Sequence, residues 1–294
     1  MTNSEKIWGV TRVAIVSPNQ VVESMIQAGE AKAKLPIKDL LIRGSLGGAL
    51  LGVGTTLAFT AEVQTGLGIV GALLFPAAFV IIILLGLELV TGSFALIPVA
   101  VMSKKATVAQ MLKNWFWVII GHVIGSVLYA ILYIIAVTQL GHVTDNAVAA
   151  KIIAVAEAKT LAYKSLGTDG LMVVFVKAML CNWMVTLGAV MAMTSKSVIG
   201  RIAAMWLPIL IFFAQGFEHA VVNMFVIPAG MILGADVSMA DWWVWNQIPV
   251  LIGNLVGGVL FTGIALYYTH HKSKPKMVLE LAKTKATMPL TQRS

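Results

Sequence analysis

Six long apolar runs dominate this sequence, at about residues 39–60, 68–102, 112–139, 170–193, 203–233 and 246–270. About 20 residues of helix suffice to cross the apolar core of a bilayer. Only 12% of the residues are charged, against 59% hydrophobic, whereas a soluble domain carries about a quarter charged. The chain has too few charges to coat a water-facing surface, so much of its outside must meet lipid. It reads as an all-α membrane protein with six transmembrane spans. The net charge of +8 could suggest nucleic acid, but the basic residues sit at the two ends and in short loops, a pattern of membrane orientation. No nucleic-acid partner is expected. The single cysteine, Cys181, lies in an apolar run and excludes an intrachain disulfide. The first 38 residues lack the apolar core of a signal peptide and hold no nucleotide or metal motif.

The basic residues give an orientation. Six lie in the stretch through Arg43 (Lys6, Arg12, Lys32, Lys34, Lys38, Arg43), three between spans two and three (Lys104, Lys105, Lys113), two between spans four and five (Lys196, Arg201) and six in the tail (Lys272, Lys274, Lys276, Lys283, Lys285, Arg293). With six spans, those seventeen share one side and only Lys151, Lys159 and Lys164 face the other. This predicts that both termini are cytoplasmic. Lys177 falls inside span four, two turns in, where it can snorkel outward. Ser17-Pro18 reads as a helix start, and Val21, Val22, Met25, Ile26 and Gly29 then form an apolar face ending before Pro36. The expected layout is a cytoplasmic segment at 1–38 with an interfacial helix, a channel domain at 39–270 and a basic cytoplasmic tail at 271–294. A gate is the sharper reading of the first helix.

Two runs are too long for one crossing. Run five has 31 residues and would extend ~46 Å as a straight helix, and run two has 35 and would extend ~52 Å. Run two contains Pro76, Gly86, Gly92 and Pro98, and run five contains Gly216 and Pro228. Each is the second span of a three-span half, so the halves run oppositely through the membrane, an inverted 3+3 repeat. Paired broken helices in inverted halves point to a central solute site, and exposed half-helix N-termini favour an anion.

Ionisable groups inside spans are costly and commonly functional. Run five holds Glu218, His219 and Asn223, and run two holds Glu88 and Thr91. At a break, one of the adjacent pair Glu218–His219 can anchor the loop while the other faces the pore. Histidine titrates near neutrality and can offer or withhold a proton. Asn182 and Thr186 share a face of span four and suit helix–helix hydrogen bonds, and His122 in span three suits a packing hydrogen bond. Glycines 44, 47, 48 and 52 in span one and 253, 257 and 258 in span six permit close helix contact. Phe75, Phe79, Phe212 and Phe213 flank the breaks, where a hydrophobic constriction can gate.

Five segments together resemble the formate/nitrite transporter family over about residues 18–270: Gly216-Phe217-Glu218-His219 with Asn223-Met224; Glu88-Leu89-Val90-Thr91; Lys113-Asn114-Trp115; Asn182-Trp183-Met184-Val185; and Gly253-Asn254. The resemblance implies an aquaporin-like fold assembled as a homopentamer, with a pore in each protomer for formate, nitrite, hydrosulfide or short carboxylates. It also implies a bacterial or archaeal cytoplasmic membrane. His219 matches the central pore histidine and Thr91 its partner. Asn182 would hydrogen-bond near the pore. Phe75 and Phe212, with Phe79, match one constriction; Leu89 and Val90, with Val185, match an inner slit. Glu218 and Asn223, with Glu88 in the other half, would hold the loops. The family often has Asn where this chain has His122, and Phe where it has Val90. A lysine common before span four falls at Leu166, leaving Lys164, two residues earlier, as a candidate vestibule charge.

Formate is the expected solute, passing by a pH-dependent or proton-coupled route in which His219 either gives a proton to the anion or binds it as imidazolium. Nitrite on the same fold is the alternative. A membrane redox subunit would need two histidines facing one haem, and only His122 and His219 lie within spans. An aquaporin proper would need Asn-Pro-Ala, which is absent. No enzyme activity, cofactor or metal is expected.

Overall fold

The structure, a computed structural model, describes residues 15–271. Lys6, Arg12 and the six basic residues of the tail, on which part of the orientation count rests, lie outside them. Among the described residues, four helices are long and apolar enough to cross a membrane: α2 (Ile37–Thr65), α6 (Val108–Thr138), α9 (Thr168–Met191) and α12 (Met239–His270). α2 packs along α6, and α9 along α12. The glycines account for both contacts. A Cβ on Gly44 or Gly48 would strike the α6 backbone at Val118 or His122, and one on Gly253 or Gly257 would strike α9 at Phe175, Ala178 or Met179. α12 begins ahead of the apolar run because Ser238 and Asp241 cap it reciprocally: Ser238 Oγ accepts the Asp241 N–H, and the Asp241 carboxylate accepts the Ser238 N–H at 3.1 Å. Two stretches of α12, Trp243–Gln247 and Gly257–Ile264, are π-helical.

The two over-long runs are divided. Run two forms α3 (Gly68–Leu74), α4 (Pro76–Leu84) and α5 (Val90–Met102); run five forms α10 (Val198–Ala214) and α11 (Ala220–Leu233). Phe75, between α3 and α4, keeps helical angles, so those two form one rod. Pro98 and Pro228 lie inside α5 and α11 without ending them. The glycines make the breaks. Gly86 has φ +64° and Gly216 has φ +63°, the left-handed conformation in which a Cβ costs ~1–2 kcal/mol. Each closes its helix in the same way. Leu87 N–H bonds back to Ile82 C=O and Phe217 N–H to Phe212 C=O, at 3.0 and 3.2 Å, while Gly86 and Gly216 bond to Ile83 and Phe213. This Schellman closure satisfies the last carbonyls of each helix.

α1 (Pro18–Ala33) starts at the Ser17 cap with Gln20 closing the box. Its apolar face, expected to lie on the membrane surface, is instead buried on protein. Val21, Val22, Met25 and Ile26 pack with Leu96 and Val99 of α5 and Val190 of α9, and Gly29 meets the Leu96 carbonyl so closely that no side chain would fit. In the other half α7 (Ala147–Ala158), followed by the short α8 (Leu161–Ser165), packs on α11 much as α1 packs on α5.

Candidate functional site

After each glycine three residues lead to the next helix; the middle one is a glutamate and the last is extended. That residue is Leu89 (φ −136°) before α5 and His219 (φ −108°) before α11. Both glutamates are buried, and each meets a lysine from the helix packed outside its half. Lys32, on α1, bonds Glu88 Oε1 at 2.8 Å; Lys159, just after α7, bonds Glu218 Oε2 at 2.8 Å. Each lysine's backbone is pinned in turn. Asn114 Nδ2 donates to the Lys32 carbonyl at 3.0 Å, and Asn246 Nδ2 to the Lys159 carbonyl at 2.9 Å.

Beyond that the halves differ. Glu218 also accepts Tyr163 O–H at 2.8 Å on Oε1 and Asn223 Nδ2 at 2.8 Å on Oε2. The Tyr163 phenol is raised from its usual value by burial and then by the charge of Glu218, so it remains a donor at ordinary pH. Glu88 Oε2 is buried and finds no partner among the described residues, and each half also leaves one asparagine oxygen bare, Asn114 Oδ1 in the first and Asn223 Oδ1 in the second. A buried charge is tolerated only as far as it is paired and hydrogen-bonded, so Glu218 is the tied carboxylate and Glu88 the incompletely satisfied one.

The new helices start at buried residues, Val90 and Ala220, and their first N–H groups need acceptors. In the second half Asn254 Oδ1 accepts Ala220 N–H at 2.9 Å, while its Nδ2 donates to Ala178 C=O at 2.8 Å and Glu218 C=O at 2.9 Å. In the first half His122 takes the corresponding place: Nε2 accepts Val90 N–H at 3.0 Å and Nδ1 lies 2.7 Å from Gly44 C=O. Both ring nitrogens are thereby used, so neither is open to bind a haem iron, which removes the histidine pair that a redox subunit would need.

His219 caps α11. Its Nδ1 accepts Val222 N–H at 3.2 Å, and its Nε2 lies 3.1 Å from Thr91 Oγ1. An acceptor at Nδ1 puts the ring proton on Nε2, so the neutral imidazole points its N–H at Thr91. His219 and Thr91 are thus brought together from opposite halves. Asn182 joins them, its Nδ2 donating to Thr91 C=O at 3.1 Å and Asn254 C=O at 2.6 Å, with its Oδ1 buried and unpartnered among the described residues. Thr186, four residues on, bonds Thr262 Oγ1 at 2.7 Å. The Phe212 ring stacks on His219 with centroids 5.6 Å apart and meets Phe75 edge-on at 5.7 Å, and Phe213 stacks on Phe75 at 4.0 Å. Phe79, Leu89, Val90 and Val185 belong to the same buried apolar cluster.

A cavity of about 470 Å³ opens against Gly86, Leu87 and Glu88, and Lys32, Arg43 and Arg201 line it. Lys164 lies elsewhere: it binds Asp241 at 2.8 Å and is half exposed. Lys159 is the lysine at Glu218, and the sequence reading passed over it. Its pairing spans 59 positions, and its one legible sign was that it is one of three lysines between spans three and four. Lys177 turns back toward the connection that precedes its span; its Nζ lies 3.4 Å from Tyr163 O–H and over that ring at 5.6 Å.

The family model described as "Formate/nitrite transporter" matches residues 19–268. The chain belongs to this family. It is a multi-pass membrane protein of a transport family and not an enzyme. A protein of Bacillus subtilis named "Uncharacterized transporter YrhG" is 33% identical over 270 residues, covering 88% of this chain and 96% of that one. "Formate channel BtFdhC" of Bacillus thuringiensis is 31% identical over 271 residues, covering 90% and 100%. Among solved structures, one titled "FNT family ion channel" aligns with a TM-score of 0.71 and 26% identity, over 86% of this chain and 98% of that one. Another, titled "Pentameric formate channel with formate bound", aligns with a TM-score of 0.65 and 20% identity, over 79% and 97%, and speaks for the fold.

Proposed function

We propose that this chain conducts formate, or a similar small monovalent anion, across the cytoplasmic membrane through a pore in each protomer, with His219 as the group that meets the solute. The observation that carries this is the tautomer of His219. Its Nδ1 is occupied by the Val222 N–H, so its Nε2–H is the donor, bonded to Thr91 Oγ1 between the halves. A donor N–H between two apolar constrictions suits an anion that has left water. Phe75 and Phe212, with Phe79, form the constriction on one side of it; Leu89, Val90 and Val185 form the slit on the other. The N-terminus of α5 adds its dipole, favourable to negative charge.

A bare anion pays heavily to cross an apolar constriction, and its neutral acid pays far less. The cavity lined by Lys32, Arg43 and Arg201 collects the anion. In this geometry the resting histidine acts as a neutral hydrogen-bond donor. Becoming imidazolium would put a proton on Nδ1 and cost the bond to Val222, so proton delivery goes with release of that cap.

The same reading takes six crossings in two inverted halves, with α3–α4–α5 and α10–α11 as the broken pair, and a homopentamer in a bacterial or archaeal membrane. Both termini, residues 1–38 and 271–294, lie on the cytoplasmic side. The fold match to a structure titled as a pentameric formate channel supports the assembly, as do relatives named formate channels. Purified protein in liposomes tests the reading. Formate influx should exceed that of empty liposomes, depend on pH and be reduced by competing nitrite. Formate influx no faster than in empty liposomes, at every pH tried, would refute it.

A further inference from the structure

We propose that His122 is a positioning residue for the inner slit, holding the first turn of α5 only as a neutral imidazole, so that this half carries a proton-sensitive anchor where the other half has Asn254. The inference rests on the transport reading above. It starts from the match between His122 and Asn254. Both come from the last long helix of their half. Both accept the first N–H of the re-entrant helix, from Val90 or Ala220, and both give a proton to a carbonyl of the first long helix, Gly44 or Ala178. Asparagine does this with a carboxamide that does not titrate. Histidine does it with a ring that has one donor and one acceptor only while neutral.

The geometry settles which nitrogen carries the proton. Gly44 offers only a carbonyl oxygen to Nδ1, and Val90 offers only an N–H to Nε2. Protonation would put a second ring proton on Nε2, facing the Val90 N–H donor. The bond would be lost and a buried backbone N–H would be left without an acceptor, which is costly in a site shut off from water. Val90 and Leu89 line the slit, and Thr91, the partner of His219, is the next residue. Release of the Val90 anchor therefore displaces the slit and the Thr91 hydroxyl together.

Most charged groups on the elements packed around His122 are already paired. Of the elements packed on α6, α5 and α11 carry no titratable side chain, although His219 caps α11 and Glu88 precedes α5. α1 brings Glu23, Glu30 and Lys32, the last two bound to Lys34 and Glu88. α2 brings Lys38, the pair Asp39 and Arg43, bound to each other, and Glu62, bound to Lys151. α6 itself carries Lys113, Tyr129 and Tyr133. None of these stands between His122 and its two bonds.

Nitrogen-15 labelling of histidine in the full chain in liposomes reads the tautomer directly, with His122→Asn assigning the signals. The expected result at neutral pH is a protonated Nδ1 and a bare Nε2. Formate flux of wild type and His122→Asn is then compared from about pH 7.5 down to about pH 4, the region over which histidine titrates. The two should conduct alike at the upper end. Toward the lower end the wild type should fall behind, the ratio growing by up to ~10-fold per pH unit, the limit for one proton. If Asn does not support folding, His122→Gln takes its place. An Nε2-protonated or charged His122 at neutral pH would overturn the proposal, as would superimposable pH profiles. A wild type that conducts no formate would sink the transport reading instead, and the nitrogen spectrum would still decide His122.

Discussion

At Gly86 and at Gly216 the backbone does the same thing: a left-handed glycine closes one helix, a buried glutamate follows, and a new helix begins two residues after it. The side chains around the two breaks then differ. Glu218 is held by Lys159, Tyr163 and Asn223, whereas Glu88 has Lys32 alone and one bare oxygen. The second break places a histidine where the first places a leucine. The difference teaches a division of labour. On the proposed reading the tied break presents the polar group, because a group that meets a solute needs a fixed position. The looser break presents apolar residues, for which the energetic demands on the loop are smaller.

The largest effect should come from cutting one charge. Glu218→Gln leaves Lys159 with a much weaker partner in a buried site and should cost ~3–5 kcal/mol, read as a lowered unfolding temperature in detergent. Glu88→Gln should cost less, because Lys32 is the more exposed lysine and Glu88 is already incompletely bonded. Equal losses would break the distinction between tied and loose halves. The shared backbone gives the next test. Gly86→Ala and Gly216→Ala each add a Cβ that meets nothing within 4 Å, so both should cost the same ~1–2 kcal/mol of conformational strain. A marked inequality in the same assay would show that the two turns are not one device. The smallest effect belongs to Tyr163→Phe, which takes one donor from Glu218 Oε1 and should cost ~1 kcal/mol. No measurable loss of stability would remove Tyr163 from the anchoring group.

What the sequence made legible, and what it hid, follows the range of the interactions. Runs two and five were too long for single helices, and Gly86 and Gly216 stand where the breaks fall, because helix length and left-handed glycine are local matters. Pro98 and Pro228 were equally plausible breakers by local rules, yet α5 and α11 run through them. Freed backbone groups in the protein interior find neighbours that a single sequence cannot name. His122 read as a packing hydrogen bond, but its use as an acceptor for Val90 N–H depends on three helices meeting. The burial of the α1 face on α5 was not legible either, since an apolar helix face fits protein and membrane surface alike. The pairing of Lys159 with Glu218, with Lys164 drawn off to Asp241, was set by the placement of α7 and α8.

The central claim is that His219 is the donor that meets the solute while Leu89, its counterpart, is an apolar wall. Formate flux in liposomes, across a pH series, for wild type, His219→Phe and Leu89→Phe tests it most directly. His219→Phe should abolish the pH dependence and most of the selectivity for formate over an uncharged solute of similar size, whereas Leu89→Phe should lower the rate and leave the pH profile in place. A His219→Phe protein with the wild-type pH profile for formate would contradict the account.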